Sequence, residues 1–185
     1  MIQPWPKLSS QARGKFTVFS IREDRKISPR TGREHDFVVL DCVDWVNVIA
    51  LTPDQQLVLV EQFRHGSETV ELEIPGGVMD PHETDPVVTA VRELREETGY
   101  EGRQARLLGT IRPNPAMMSN RCHTVLIEDC RLVHPVAFDH GEDIATRLLP
   151  VEEVVRQAAT GTIQHALAVV GLFLYDQWRR GQLSR

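Results

Sequence analysis

Between Asp85 and Gly99 the chain spells out both ends of a helix, and no other stretch constrains the fold as much. Asp85 is placed to cap the first backbone N–H groups. Pro86 suits the first helical position because no donor is needed there, and Gly99 supplies a left-handed stop. The spacing predicts a helix over Val87 to Thr98. At about 100° per residue Val87, Val91 and Leu94 share one face with Ala90 at its edge, and this face is expected to pack on a sheet. Glu93, Glu96 and Glu97 are three and four residues apart, so their carboxylates converge on roughly the opposite face. Like charges at that spacing repel, and something positive would relieve them.

A bare E-x-x-E-E would suit a solvated face with Arg92 and Arg95 as local partners. The stretch before the helix, Gly76-Gly77-Val78-Met79-Asp80-Pro81-His82-Glu83, shifts that balance. Its glycines allow backbone carbonyls to turn toward the same carboxylates. Oxygen donors from two sides suit Mg²⁺ or Mn²⁺ better than zinc. The chain's charge sits here as well. Asp80, Glu83, Asp85, Glu93, Glu96, Glu97 and Glu101 stand against Arg92 and Arg95, seven acids to two bases, which equals the net charge of -5 for all 185 residues. With that balance and a pI near 5.8, no basic field exists to hold a nucleic-acid backbone.

The length and the 41% hydrophobic content suit one core with an appendage. Lys15 to Glu23 and His35 to Cys42 read as an antiparallel β arm within residues 1–44. In residues 45–185, strands are expected at Trp45 to Thr52, Leu57 to Phe63, Thr69 to Ile74, Gln104 to Arg112, His123 to Ile127 and Ile144 to Leu149. A short helix from Val151 and a longer one from about Thr162 to Trp178 follow. Strands interleaved with helices in this order predict an α/β sandwich around a mixed sheet. Cys42, Cys122 and Cys130 form no C-x-x-C and imply neither disulfides nor a zinc cluster. The first ten residues lack a secretory apolar region, and the apolar run Ala166 to Tyr175 is too short to span a bilayer, so a cytoplasmic protein is expected.

Residues Gly77 to Tyr100 resemble the Nudix box, G-x5-E-x7-R-E-U-x-E-E-x-G-U. Gly77, Glu83, Arg92, Glu93, Leu94, Glu96, Glu97, Gly99 and Tyr100 fall in its places. Tyr100 stands where an aliphatic residue is usual, and Thr84 to Val91 is one residue longer than the motif, which puts the role of Glu83 in doubt. The resemblance implies an α/β/α sandwich and a hydrolase of nucleoside diphosphates linked to another group. It implies that Glu93, Glu97 and Glu96 hold the metal with the Gly76 carbonyl, that Glu96 also serves catalysis, and that Arg92 orients a glutamate. A general base comes from outside the box in this family; Glu142 is expected, with Asp143, Asp139 and His140 as competitors.

Within the family the chain is most similar to the branch acting on ADP-ribose and nucleoside diphosphate sugars. That branch carries an N-terminal β arm, exchanged across a homodimer, which helps build the partner's nucleotide pocket. It also places an arginine like Arg64 on substrate phosphates or ribose, within Val60-Glu61-Gln62-Phe63-Arg64-His65-Gly66. Glu73, in Glu71-Leu72-Glu73-Ile74-Pro75, is assigned with it to substrate binding. Gly161 to Leu167 resembles the branch's closing helix, and Trp45 could stack on a base or simply pack. The expected products are a nucleoside monophosphate and a sugar phosphate. An RNA 5′ pyrophosphohydrolase, a nucleoside triphosphatase and a non-catalytic nucleotide-sensing domain are the competing readings.

Overall fold

A computed structural model describes residues 1–138, 141 and 143–183. The chain divides into two compact units, residues 1–44 with 112–121, and residues 45–111 with 122 onward. The first unit is a three-stranded antiparallel sheet in the order β1 (Lys7–Lys15), β2 (Phe19–Ile27), β3 (Glu34–Cys42). The β2–β3 pair is the expected arm. β1 escapes pattern reading because Lys7 to Lys15 is polar and almost wholly exposed, with no alternation to show. Residues 114–119 join this unit through the Leu40 amide, which donates to the Met117 carbonyl at 2.8 Å, and the Ser119 amide, which donates to the Leu40 carbonyl at 3.0 Å.

The second unit runs β4 (Trp45–Leu51), β5 (Gln56–Arg64), β6 (Thr69–Glu73), β7 (Gly76–Val78), α1 (Pro86–Thr98), β8 (Tyr100–Glu101), β9 (Gln104–Ile111), β10 (Cys122–Glu128), β11 (Arg131–Leu132), β12 (Ile144–Pro150), α2 (Val151–Thr160) and α3 (Ala166–Arg179). Its main sheet has the order β12-β5-β4-β10-β9, with β6 paired to β5 and β7 to β4. β4 and β10 are parallel and the other pairs antiparallel, so the sheet is mixed.

Successive residues of a strand face opposite ways, and β4 uses both faces. Val46, Val48 and Ala50 pack with Val58, Val125 and Ile127 against Ala90 and Leu94 of α1. Ile49 and Leu51 pack with Leu57, Leu59 and Leu126 against α2 and α3 through Val154, Ala168 and Leu172. Helices therefore cover both faces, as the sandwich expectation requires.

The face assigned to α1 needs correction. Ala90 and Leu94 are buried as expected, yet Val91 is 38% exposed, while Glu93 and Glu97 are only 8% and 4% exposed. The helix turns its glutamates toward β7, whose two glycines carry no side chains and leave room for carboxylates. Cys130 and Cys122 are buried, and burial pushes the Cys130 thiol up to about 12, which makes it inert. Among the described residues no helix is long and apolar enough to cross a membrane.

Candidate functional site

The ends of α1 set the register of its acidic side chains. The Val87 amide donates to the Asp85 carboxylate at 2.9 Å, and Gly99 adopts φ 73° as the left-handed stop. Between these caps the buried glutamates meet the glycine strand. The Gly76 amide donates to Glu97 Oε2 at 3.0 Å. At Gly77, an added Cβ would stand 2.5 Å from Cδ and from both oxygens of Glu93, so that carboxylate occupies the space a side chain would take.

Arg92 gathers the acids around itself. Its Nη1 lies 2.9 Å from Glu93 Oε1 and donates to Glu96 Oε2 at 2.9 Å; its Nε and Nη2 each reach Glu83 at 3.2 Å, and Nη2 also donates to the Val78 carbonyl. Glu83 further accepts from the Asp80 amide at 2.9 Å and the Thr89 hydroxyl at 2.8 Å. Held by Arg92 and these donors, the Glu83 carboxyl drops to about 2. The extra residue between Glu83 and Arg92 is thus absorbed before Pro86, and Glu83 still reaches the arginine. Glu96, 41% exposed, is the outermost of the three helix glutamates.

The glutamates adjoin a cleft of about 640 Å³ lined by Trp45, Asn47, Arg64, Glu73, Gly76, Gly77 and His165. Half-buried Trp45 begins β4, paired with Val78 and Cys122. Arg64 ends β5 and donates from Nε and Nη2 to the two oxygens of Glu73, at 2.7 and 2.9 Å. His165 Nδ1 lies 3.0 Å from Glu73 Oε2. Burial alone would raise the Glu73 carboxyl, but the bonds from His165 and Arg64 outweigh it and hold the group down to about 2. Glu73 is 2% exposed, so its oxygens serve its neighbours within the protein. Sequence reasoning gave His165 no part here, since only the fold brings residue 165 beside residue 73. Asp143 lies exposed just before β12. Glu142, Asp139 and His140 lie outside the described residues.

The donor set suits a hard divalent cation, because buried carboxylates lie against peptide groups in a pocket that only glycine leaves open. Among the described residues no three His, Cys, Asp or Glu side chains form a ready-made cage.

The family described as NUDIX domain matches residues 43–169, more than half of the chain. A CMP-5'-(N-acetyl-N-hydroxy-3-aminopropyl)phosphonate hydrolase of Streptomyces rubellomurinus is 35% identical over 125 residues, covering 64% of this chain and 59% of that protein. The match thus spans less than two thirds of this relative's length. An ADP-ribose pyrophosphatase of Mycobacterium tuberculosis is 27% identical over 169 residues, 89% of this chain and 80% of that one. Among solved structures, that of an ADP compounds hydrolase superposes with a TM-score of 0.85 at 21% identity, covering 98% of this chain and 97% of its own, a likeness of fold.

Proposed function

This chain belongs to the Nudix family, and from that premise we propose that it is a divalent-metal hydrolase of ADP-ribose or nucleoside diphosphate sugars, releasing a nucleoside monophosphate and a sugar phosphate. One observation carries the reading: the buried Glu93 and Glu97 carboxylates sit against Gly76 and Gly77, and the cleft that these glycines line also holds Arg64. The anion-binding Arg64 thus lines a cleft whose glycine wall lies against the cation-binding glutamates, an arrangement that suits a pyrophosphate held between a metal and an arginine. The relative named for ADP-ribose supports this substrate class.

In the proposed reaction a water oxygen forms a bond to one phosphorus of the pyrophosphate, the bridging P–O bond breaks, and the water's proton passes to the base. Glu142 is the proposed base, with Asp143, Asp139 and His140 as competitors. Mg²⁺ or Mn²⁺, when bound, supplies charge neutralisation on the phosphates and a more acidic water. Glu93, Glu97 and Glu96 would hold it together with the Gly76 carbonyl, and Arg92 keeps the glutamates oriented through its bonds to Glu83, Glu93 and Glu96. Arg64 binds a phosphate or the distal ribose, Glu73 holds Arg64, and Trp45 stacks on the base. The arm of residues 1–44 makes a homodimer of the 45–185 catalytic domain, and the enzyme works in the cytoplasm.

The test is a panel of ADP-ribose, nucleotide sugars, nucleoside triphosphates and 5′-triphosphate RNA, each with Mg²⁺ or Mn²⁺, with products identified by mass. Monophosphate release from the sugar-linked substrates is expected. Turnover confined to triphosphates or RNA overturns the substrate assignment, and binding without turnover makes the chain a sensor. Glu97→Gln should lower kcat by about a hundredfold or more. It should melt at or above the parent temperature, because one of two neighbouring buried charges is removed while the Gly76 amide keeps an acceptor.

A further inference from the structure

We propose that His165 is a positioning residue for substrate binding, acting through the buried Glu73 carboxylate to fix the Arg64 guanidinium at the cleft. The inference rests on the reading of Arg64 as a substrate-binding group. Arg64 ends β5, at the mouth of the β5–β6 hairpin, and its side chain is 41% exposed. A long, half-exposed arginine samples many rotamers unless something holds it. Glu73 does so with a two-pronged pair, yet that pair fixes the two groups only relative to each other. The terminal torsion of a glutamate is broad, so a further donor on the Glu73 carboxylate sharpens the direction in which the guanidinium is held.

The third contact comes from another element. His165 Nδ1 lies 3.0 Å from Glu73 Oε2, the oxygen that Arg64 Nη2 already meets. A carboxylate engaged by a guanidinium is ionised and accepts only, so the Nδ1 atom carries the proton in this bond. His165 is itself fixed. Its carbonyl accepts the Val169 amide at 3.0 Å as α3 begins, and two residues on the Leu167 carbonyl accepts Asn47 Nδ2 of β4 at 2.8 Å. A relay therefore runs from the centre of the sheet through the start of α3, His165 and Glu73 to Arg64, and all of these residues except Val169 line the same cleft. Losing the His165 donor removes a bond that orients the Glu73 carboxylate, and through it the Arg64 guanidinium, which weakens ground-state binding without touching the carboxylates of α1.

The measurement is steady-state hydrolysis of ADP-ribose at fixed Mn²⁺, with thermal melts of every variant. His165→Ala should raise KM about tenfold and leave kcat within about twofold. His165→Asn, whose amide nitrogen takes the place of Nδ1, should return KM to within about threefold of the parent. In an Arg64→Ala background, His165→Ala should add nothing, because the group it positions is gone. A parental KM for His165→Ala, an Asn variant as impaired as the Ala variant, or additive effects in the double variant each overturn the proposal while leaving Arg64 in place. A parental KM for Arg64→Ala removes the reading of Arg64 and this inference with it. Should His165→Ala not fold, Asn is compared with Gln, whose amide reaches one bond farther and should leave KM raised.

Discussion

Gly77 shows how much one missing side chain can decide. The Glu93 carboxylate fills the volume that a Cβ would claim, 2.5 Å from the position such an atom would take, and Arg92 Nη1 holds that carboxylate from the other side at 2.9 Å. A methyl group at residue 77 must therefore push Glu93 away from the loop or off Arg92. Overpacking of this kind costs about 1–3 kcal/mol, enough to weaken the fold without unfolding it. Gly77→Ala is expected to fold, to need at least about tenfold more Mn²⁺ for half-maximal activity, and to unfold at lower urea concentration. An unchanged Mn²⁺ requirement in an activity titration would show that Glu93 does not act from its place over Gly77. The motif marks residue 77 as glycine, but the reason is visible only in three dimensions.

At the level of elements, α1 was legible at its ends and misread around its circumference. Caps are local chemistry: Asp85, Pro86 and Gly99 each act within a residue or two of where they stand, so the sequence suffices to place them. Which face is buried depends on what lies opposite, and opposite the glutamates lies a strand of glycines rather than water. Periodicity points Val91 inward, and it is exposed for the same reason. The two-faced apolar runs of β4 and β5 were legible because both faces are covered by helices. β1 was not, because neither of its faces is covered. The stop at Gly99 carries its own prediction. Its φ of 73° suits only glycine without strain, and a Cβ there would collide with the carbonyl of His134, on the stretch whose Val133 and His134 amides both donate to the Gly99 carbonyl at 3.1 Å. Gly99→Ala should cost about 2 kcal/mol or more, read as a lower urea midpoint with an unchanged slope. A variant as stable as the parent would mean that the 133–134 stretch yields freely.

For the molecule as a whole, the two units differ in what they bury. The second unit has apolar cores on both sides of its sheet, whereas no apolar side chain of residues 1–44 or 112–121 is buried; the buried groups there are Asp24, Ser28 and Asn120. Asp24 is neutralised by Arg22, accepts from the Ser10 hydroxyl at 2.6 Å and has the Lys7 ammonium 3.8 Å away, so this sheet is joined by polar contacts. Three strands without a covered apolar face are marginal in water. Phe16, Val18 and Val38 are each more than half exposed, apolar area that an interface over this sheet would remove from water. The homodimer proposed from family resemblance supplies that cover with a second copy. Light scattering should then give twice the mass of 21.0 kDa, with a melting temperature that rises with protein concentration. Val18→Glu with Val38→Glu places charge on the exposed apolar surface and should yield a monomer whose melting no longer depends on concentration. The parent chain scattering as a monomer at micromolar concentration would refute the assignment. A dimer that survives both glutamates would place the interface on other residues.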